Sequence, residues 1–415
     1  MSNHHLHKVA ILQDTTLSIG AFMSQEELKT KLDKNNSHYS MSSNVPIVGG
    51  IIDWWNDTRQ KFQSFLASDK NAKKRSIINF FIRYALILFI LIYIVVVVVV
   101  NPRFLSFRNI INIFSQGSLL LMVSLGMAGI IVLTGADLSA SSIVYFVVLF
   151  ITTLIPNQIR PTGSGSGVYL IDGFTIPLII AVIIAMILGG IIGTLNGIMT
   201  AKFKVHPFIG TMATNFVFGA SALTLMYLLA VGGQSGGNAV VSSNSPIVEL
   251  VTTGITIAGV TIPNIIWFAL GAALIISIIW TKTKFGKSMF AVGCNQEAAK
   301  VAGVNVVLIT TIVFAIAGIM YGYAAFFGIG YNKGGSAASY STLGLYAIAA
   351  CVIGGVSFTG GIGNVRGVIF GVLLFQMIRN STNFIGFSSS VGDVFVGLVV
   401  AFAVIFDMMK YRTRT

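Results

Sequence analysis

Ten apolar segments, each near the roughly 20 residues that an α-helix needs to cross about 30 Å of hydrocarbon, leave this chain few folds to choose from. They lie at 79–100, 118–134, 138–155, 176–200, 207–231, 262–280, 306–330, 341–357, 367–379 and 392–409. Inside hydrocarbon every backbone N–H and C=O must be satisfied by the protein itself, and helices do so within one segment. The expected fold class is therefore an all-α integral membrane protein with about ten transmembrane helices, some short or broken. Charged residues make up only 9% of the chain, against about 25% in soluble domains.

Three regions follow. Residues 1–76 read as a cytoplasmic tail, 77–410 as the transmembrane domain and 411–415 as a second cytoplasmic tail. The start of the chain lacks the short apolar core of a secretory signal, so no cleaved leader is expected. At about 48–68, Ile51, Trp54, Trp55, Phe62, Phe65 and Leu66 share one helical face, the pattern of a helix lying in the membrane interface against lipid. Lys70, Lys73, Lys74 and Arg75 add a basic anchor beside it.

The formal net charge of +13 does not point to nucleic acid. If ten spans begin inside, only Arg103, Arg108, Arg160, Lys333 and Arg379 of the 26 Lys and Arg fall on the outer side. Such a bias marks the cytoplasmic face of a membrane protein and puts both termini inside. The two cysteines, Cys294 and Cys351, form no metal-ligand pattern. Two outer stretches, 163–173 and 232–246, are rich in Gly and Ser and read as flexible connections.

Within the spans, "LTGADLSASS" holds Asp137, the only acid or base between Arg108 and Arg160. A carboxylate there costs roughly 2.5 to 3.5 kcal/mol on insertion scales, so it must face protein or water. Gly135 can break the helix, and Ser139, Ser141 and Ser142 can satisfy freed backbone groups. Asp137 reads equally as a helix cap and as part of a solute path. A second break, "IGGVSFTGGIGNVRG" at 353–367, carries six glycines.

What is missing narrows the function. Intramembrane acids and histidines are too few for a typical ion-coupled carrier. No nucleophile-and-base arrangement and no metalloprotease motif is present, so the chain does not read as an enzyme. "FGKS" at 285–288 lacks the earlier glycine of a phosphate-binding loop, since Thr281 stands there. The chain is thus expected to bind no ATP and no cofactor of its own.

One polar stretch interrupts the spans, "TKTKFGKSMFAVGCNQEAAKVAGVNV" at 281–306. Asn295 can cap a short helix from Gln296 to Ala302, with Glu297 in its first turn and Gly303 ending it in the left-handed region. Ala298 and Ala299 give this helix a small, flat contact face, suited to a groove on another protein.

This stretch, with "NPRFLSFRNIINI" (101–113), "TGADLSAS" (134–141), "LNGIMTAKFKVHPFIGTM" (195–212) and "AIAACVIGGVSFTGGIGNVRGV" (347–368), resembles the permease subunits of bacterial ABC sugar importers of the galactose/methyl-galactoside and ribose type. The resemblance runs from about Asn101 to Lys410. It implies a transport subunit that passes a monosaccharide into the cytoplasm by alternating access. It also implies a cytoplasmic ATP-binding subunit that hydrolyses ATP, a periplasmic or lipid-anchored solute-binding protein and a second permease copy. The loop of Asn295, Gln296, Glu297, Ala298, Ala299, Lys300 and Gly303 matches the family's coupling contact with the ATPase. The solute path is expected at Asp137, Ser139, Ser141, Asn215 and Tyr346. The chain departs from the family at Gly344, Leu345 and Tyr346, where two acids are usual, and at Cys294 and Gln296, where Gly and Pro are favoured. The missing acids leave open a nucleoside or another small polar solute, and an ion-coupled secondary carrier is the alternative from a different class.

Overall fold

The computed structural model describes residues 92–152, 176–229, 238–241 and 243–386, with positions 391, 394, 397, 398 and 401. The interfacial helix, the basic anchor, the loop at 163–173 and most of the last apolar segment lie outside the described residues.

Residues 92–100 are helical, and Tyr93 shares a 2.6 Å hydrogen bond with Ser381. Helix α1 (Phe107–Val132) follows, capped by Ser106. It is buried from Gly117 to Val132. A helix apolar on every side belongs in the interior, and α1 is the post against which α9, α11, α12 and α6 pack. The sequence placed its start at 118, but it begins at 107. The polar residues near its start are accommodated within the protein, because Ser115 and Ser118 donate to the carbonyls of Ile111 and Phe114 one turn back. Gln116 accepts a 2.6 Å bond from Gln376.

The next elements are α2 (Ala140–Thr152), α3 (Leu178–Ala201) and α4 (Pro207–Leu229). After them come the short α5 (Pro246–Thr252) and α6 (Asn264–Lys282). Helices α7 (Lys284–Cys294) and α8 (Gln296–Val301) fill the polar stretch before α9 (Val306–Asn332). The chain then forms α10 (Ala337–Tyr340), α11 (Leu343–Ile353) and α12 (Val365–Ile385). Among the described residues six helices, α1, α3, α4, α6, α9 and α12, are long and apolar enough to cross a membrane, and α2 and α11 are shorter apolar helices. This is an all-α integral membrane protein with broken and short helices.

Helix α7 and two pairs of short strands also depart from the sequence expectation. No helix is expected from the sequence before Asn295 in the polar stretch, yet α7 forms there: Thr283 caps it by accepting from Gly286 N–H, and Met289 and Val292 supply its buried face. The stretch at 232–246, read as a flexible connection, contributes β1 (Asn238–Val240), antiparallel to β4 (Gly334–Ser336). Between α5 and α6, β2 (Gly254–Ile257) and β3 (Val260–Pro263) form a hairpin. Its turn residues Ala258 and Gly259 both have positive φ, 51° and 76°, the requirement of a tight hairpin turn whose twist matches its strands.

The tightest helix contact joins α3 to α9. Ala185, Gly189, Gly193 and Gly197 recur every fourth residue on α3 and meet Gly322, Gly318, Phe314 and Thr311 of α9. A Cβ on Gly189 would run into the Gly318 carbonyl oxygen, and one on Gly322 into that of Ala185. Without a hydrophobic drive between helices in lipid, such backbone-to-backbone approach supplies the van der Waals contact that holds them. The opposite face of α3 exposes Ile179, Ile183, Ile187, Ile191 and Leu195, a surface fit for hydrocarbon.

Gly318→Val is expected to destabilise the folded protein by about 1 to 3 kcal/mol through overpacking. Gly271→Ala, where an added Cβ meets nothing within 4 Å, is expected to stay within about 0.5 kcal/mol. Thermal unfolding in detergent measures both, and equal effects would refute the packing argument.

Candidate functional site

The break after α1 is built by local hydrogen bonds. Gly135 N–H donates to Ile130 carbonyl at 3.0 Å, and the chain turns through Thr134 at φ 63°. Asp137 Oδ1 then accepts from Ser139 N–H at 2.8 Å and from Ser139 Oγ at 2.5 Å, while the Ser139 carbonyl takes the first bond of α2 from Ile143 N–H. Asp137 thus organises the restart of a helix, and it is only 1% exposed.

The bonds continue inward. Asn196 of α3 donates to Ser139 Oγ at 2.8 Å, and Thr214 of α4 donates to Asn196 Oδ1 at 2.5 Å. Leu138 N–H donates to Thr211 Oγ1 at 3.1 Å. One buried chain, Asp137 to Ser139 to Asn196 to Thr214, therefore ties the break to α3 and α4. Asn196 and Thr214 were not among the residues read from the sequence. The signal was available, since Asn196 is a lone amide in an apolar span.

In front of this chain lies a cavity of about 380 Å³ lined by Ser141, Ser142, Tyr145, Asn215, Phe216 and Ser341, with small and apolar neighbours. Ser141 Oγ accepts from Gly344 N–H at 2.9 Å, which joins α2 to α11 and leaves the Ser141 proton to donate. The Asn215 amide has no hydrogen bond within the described residues. A few polar groups among aromatic and small side chains are the usual lining of a small-molecule site. A larger groove of about 530 Å³ between α3 and α9 has an almost wholly apolar wall. Its one hydroxyl, on Thr194, already donates to the Gly190 carbonyl, so the groove offers a polar solute no free side-chain donor.

Of the five path residues read from the sequence, Ser141 and Asn215 line the cavity. Asp137 and Ser139 stand behind its wall. Tyr346 is buried and turned to α12, its ring 5.2 Å from that of Phe375 and 4.6 Å beneath the Arg379 guanidinium.

The second feature is α8. Asn295 Oδ1 accepts from Ala298 N–H at 3.0 Å, and Glu297 in the first turn pairs with Lys300 at 2.6 Å. At the other end Gly303 sits at φ 82°, with Gly303 N–H bonded to Lys300 carbonyl and Val304 N–H to Ala299 carbonyl. These two bonds are the paired closure that a left-handed terminal residue permits. The helix ends at Val301, one residue before the expected Ala302. Gln296, Glu297, Ala298 and Lys300 are exposed, Ala299 anchors the helix, and Val301 is 91% exposed. A capped helix with an apolar tip in solvent is suited to a protein partner.

Asn196→Ala and Thr214→Val are each expected to lower stability by about 1 to 3 kcal/mol, the first by losing the bonds to Ser139 and Thr214 and the second by leaving Asn196 Oδ1 buried without a donor. Since both remove one bond, the double variant should cost less than the sum. Unfolding in detergent tests this, and strictly additive costs would deny that the two side chains act together.

The family described as branched-chain amino acid transport system / permease component matches residues 109–404. The galactose/methyl galactoside import permease protein MglC of Escherichia coli is 32% identical over 346 residues, covering 82% of this chain and 98% of that protein. The ribose import permease protein RbsC of Bacillus subtilis is 29% identical over 324 residues, covering 78% of this chain and 91% of that protein. The L-arabinose transport system permease protein AraH of Escherichia coli is 31% identical over 220 residues, covering 53% and 63%. No solved structure matches. With a multi-helix membrane fold and a match that spans most of the transmembrane domain, this chain belongs to the family of branched-chain amino acid transport system permease components.

Proposed function

We propose that this chain is the membrane-spanning subunit of an ATP-driven importer of a monosaccharide of the galactose, methyl-galactoside or ribose type. The observation that carries this reading is the cavity of about 380 Å³ whose wall combines the Ser141 hydroxyl, the unengaged Asn215 amide and the rings of Tyr145 and Phe216. Sugars present hydroxyls at their edges and C–H groups on their faces, and this wall offers a partner to each. The relatives' names, all of sugar permeases, support the class of solute.

In this reading Ser141 and Asn215 contact the solute. Asp137 and Ser139 act one layer behind, holding the start of α2 against Asn196, and Tyr346 positions α11. A path that must release what it receives favours a few moderate contacts over tight binding. The wall exposes Phe216 and Leu223, so a second copy of the chain completes the path. Both termini and α8 lie on the cytoplasmic side, where α8 docks in the ATP-binding subunit through Gln296, Glu297, Ala298 and Lys300. ATP is bound by that subunit and not by this chain, and a periplasmic or lipid-anchored solute-binding protein delivers the sugar. Lipid surrounds the exposed apolar face of α3.

The test is ATPase activity of the complex in lipid with its ATP-binding subunit, adding binding proteins loaded with galactose, ribose or a nucleoside. Stimulation is expected with the galactose-loaded protein, and Glu297→Arg is expected to remove it by reversing the charge beside Lys300. Stimulation by the nucleoside-loaded protein alone would replace the sugar reading. An absence of association with any ATP-binding subunit would end the importer reading.

A further inference from the structure

A link from α8 to the cavity wall is visible in the backbone. Asn295 ends α7, with its N–H bonded to Ala291 carbonyl at 3.1 Å, and the same residue caps α8. No spacer separates the two helices, so displacement of α8 must move the end of α7. That end, Gly293 and Cys294, lies against the glycine-rich break between α11 and α12. A Cβ on Gly293 would meet the Val132 carbonyl oxygen and come within 2.8 Å of Gly361 N. A Cβ on Gly360 would meet the Gly293 carbonyl oxygen and the Thr134 methyl, and one on Gly361 would meet Cys294 Sγ. Gly360 and Gly361 take φ of 86° and 67°, a conformation that side chains disfavour.

The contact is closed by Gly361 N–H, which donates to Val132 carbonyl at 2.9 Å. Val132 is the last residue of α1, and the break that follows leads through Thr134, Gly135 and the Asp137 to Ser139 bonds to Ser141 in the cavity wall. Helix α7 also touches α1 higher up, where the space at Gly129 is bounded by Met289 Sδ and Trp280. The two breaks of the fold therefore meet at the foot of α8. Backbone packed on backbone has no side-chain rotamers with which to absorb a shift, so movement on one side is passed to the other.

We propose that Gly293, Gly360 and Gly361 are positioning residues that transmit displacement of the ATPase-docking helix α8 to the solute cavity through the end of α1. The inference rests on the importer reading and adds the route of coupling to it. Coupling is read directly as solute moved per ATP hydrolysed.

The experiment compares galactose moved per ATP hydrolysed in proteoliposomes holding the full complex and the galactose-loaded binding protein. Gly293→Ala and Gly361→Ala are expected to lower that ratio about tenfold while ATP hydrolysis stays within about twofold of the parent. Cys294→Leu places a larger group on Gly361 from an exposed position and is expected to lower the ratio about fivefold, whereas Cys294→Ser preserves it. If the glycine variants fail to assemble, the two Cys294 variants decide alone. Ratios unchanged in assembled variants, or transport and hydrolysis falling in parallel, overturn the junction and leave the importer reading intact. A parent complex that galactose-loaded protein does not stimulate overturns the sugar reading and the junction with it.

Discussion

Close approach of one helix backbone to another through glycine is the contact on which the rest of this protein is arranged. In lipid, apolar side chains gain little by leaving one hydrocarbon environment for another, so helices associate where their surfaces fit most closely. Here α3 and α9 fit through Gly189, Gly193, Gly318 and Gly322, while α11 and α12 fit through Gly354, Gly367 and Gly371. The first pair fixes where Asn196 stands, and the second fixes where the break after α11 lies. Both sit around α1, whose buried apolar surface leaves it no exposed side over its last four turns.

Against that frame the polar groups are few and committed. Asp137 would be costly in the membrane, and its cost is offset by Ser139, which gives it two bonds while being held by Asn196. The resulting chain stabilises a helix break, a structure hydrocarbon does not tolerate unless protein surrounds it. The break in turn brings Ser141 and Ser142 to a wall shared with Asn215. Structural bonds lie behind the wall, while Ser141 and Asn215 line the cavity in front of it, the place where the proposed function puts the solute.

How much of this could be read beforehand depended on distance along the chain. The cap of α8 was legible because Asn295 bonds Ala298 and Gly303 bonds Lys300, each three residues apart, and their preferences are intrinsic to the residue types. Helix α7 was equally local, with Thr283 as cap and Met289 and Val292 one turn apart, but Lys282, Lys284 and Lys287 mask its apolar face in a polar stretch. The early start of α1 was hidden by Asn109, Ser115 and Gln116, which look unsuited to a span until their partners are known. Asn109 donates to the Phe104 carbonyl and Gln116 pairs with Gln376, a residue 260 positions away. The hairpin of β2 and β3 carried a period-two pattern around Ala258 and Gly259, a short signal beside long apolar segments.

The sequence by itself determined the class of protein, the apolar character of the long helices, the two breaks and the capped form of the exposed helix, since hydropathy, periodicity and capping are set by near neighbours. Only the tertiary structure decided that Tyr346 turns to α12 while Asn215 faces the cavity, and that Asn196 joins Ser139 to Thr214. It alone set Ser141 against Gly344, 203 residues away, and Gly361 against Val132. Those pairings depend on which helix faces come within a few ångströms of each other, and many apolar faces along this chain are chemically alike. Local pattern cannot choose among them, whereas packing can, because the glycine surfaces and the Asp137 to Thr214 bonds require particular faces to meet.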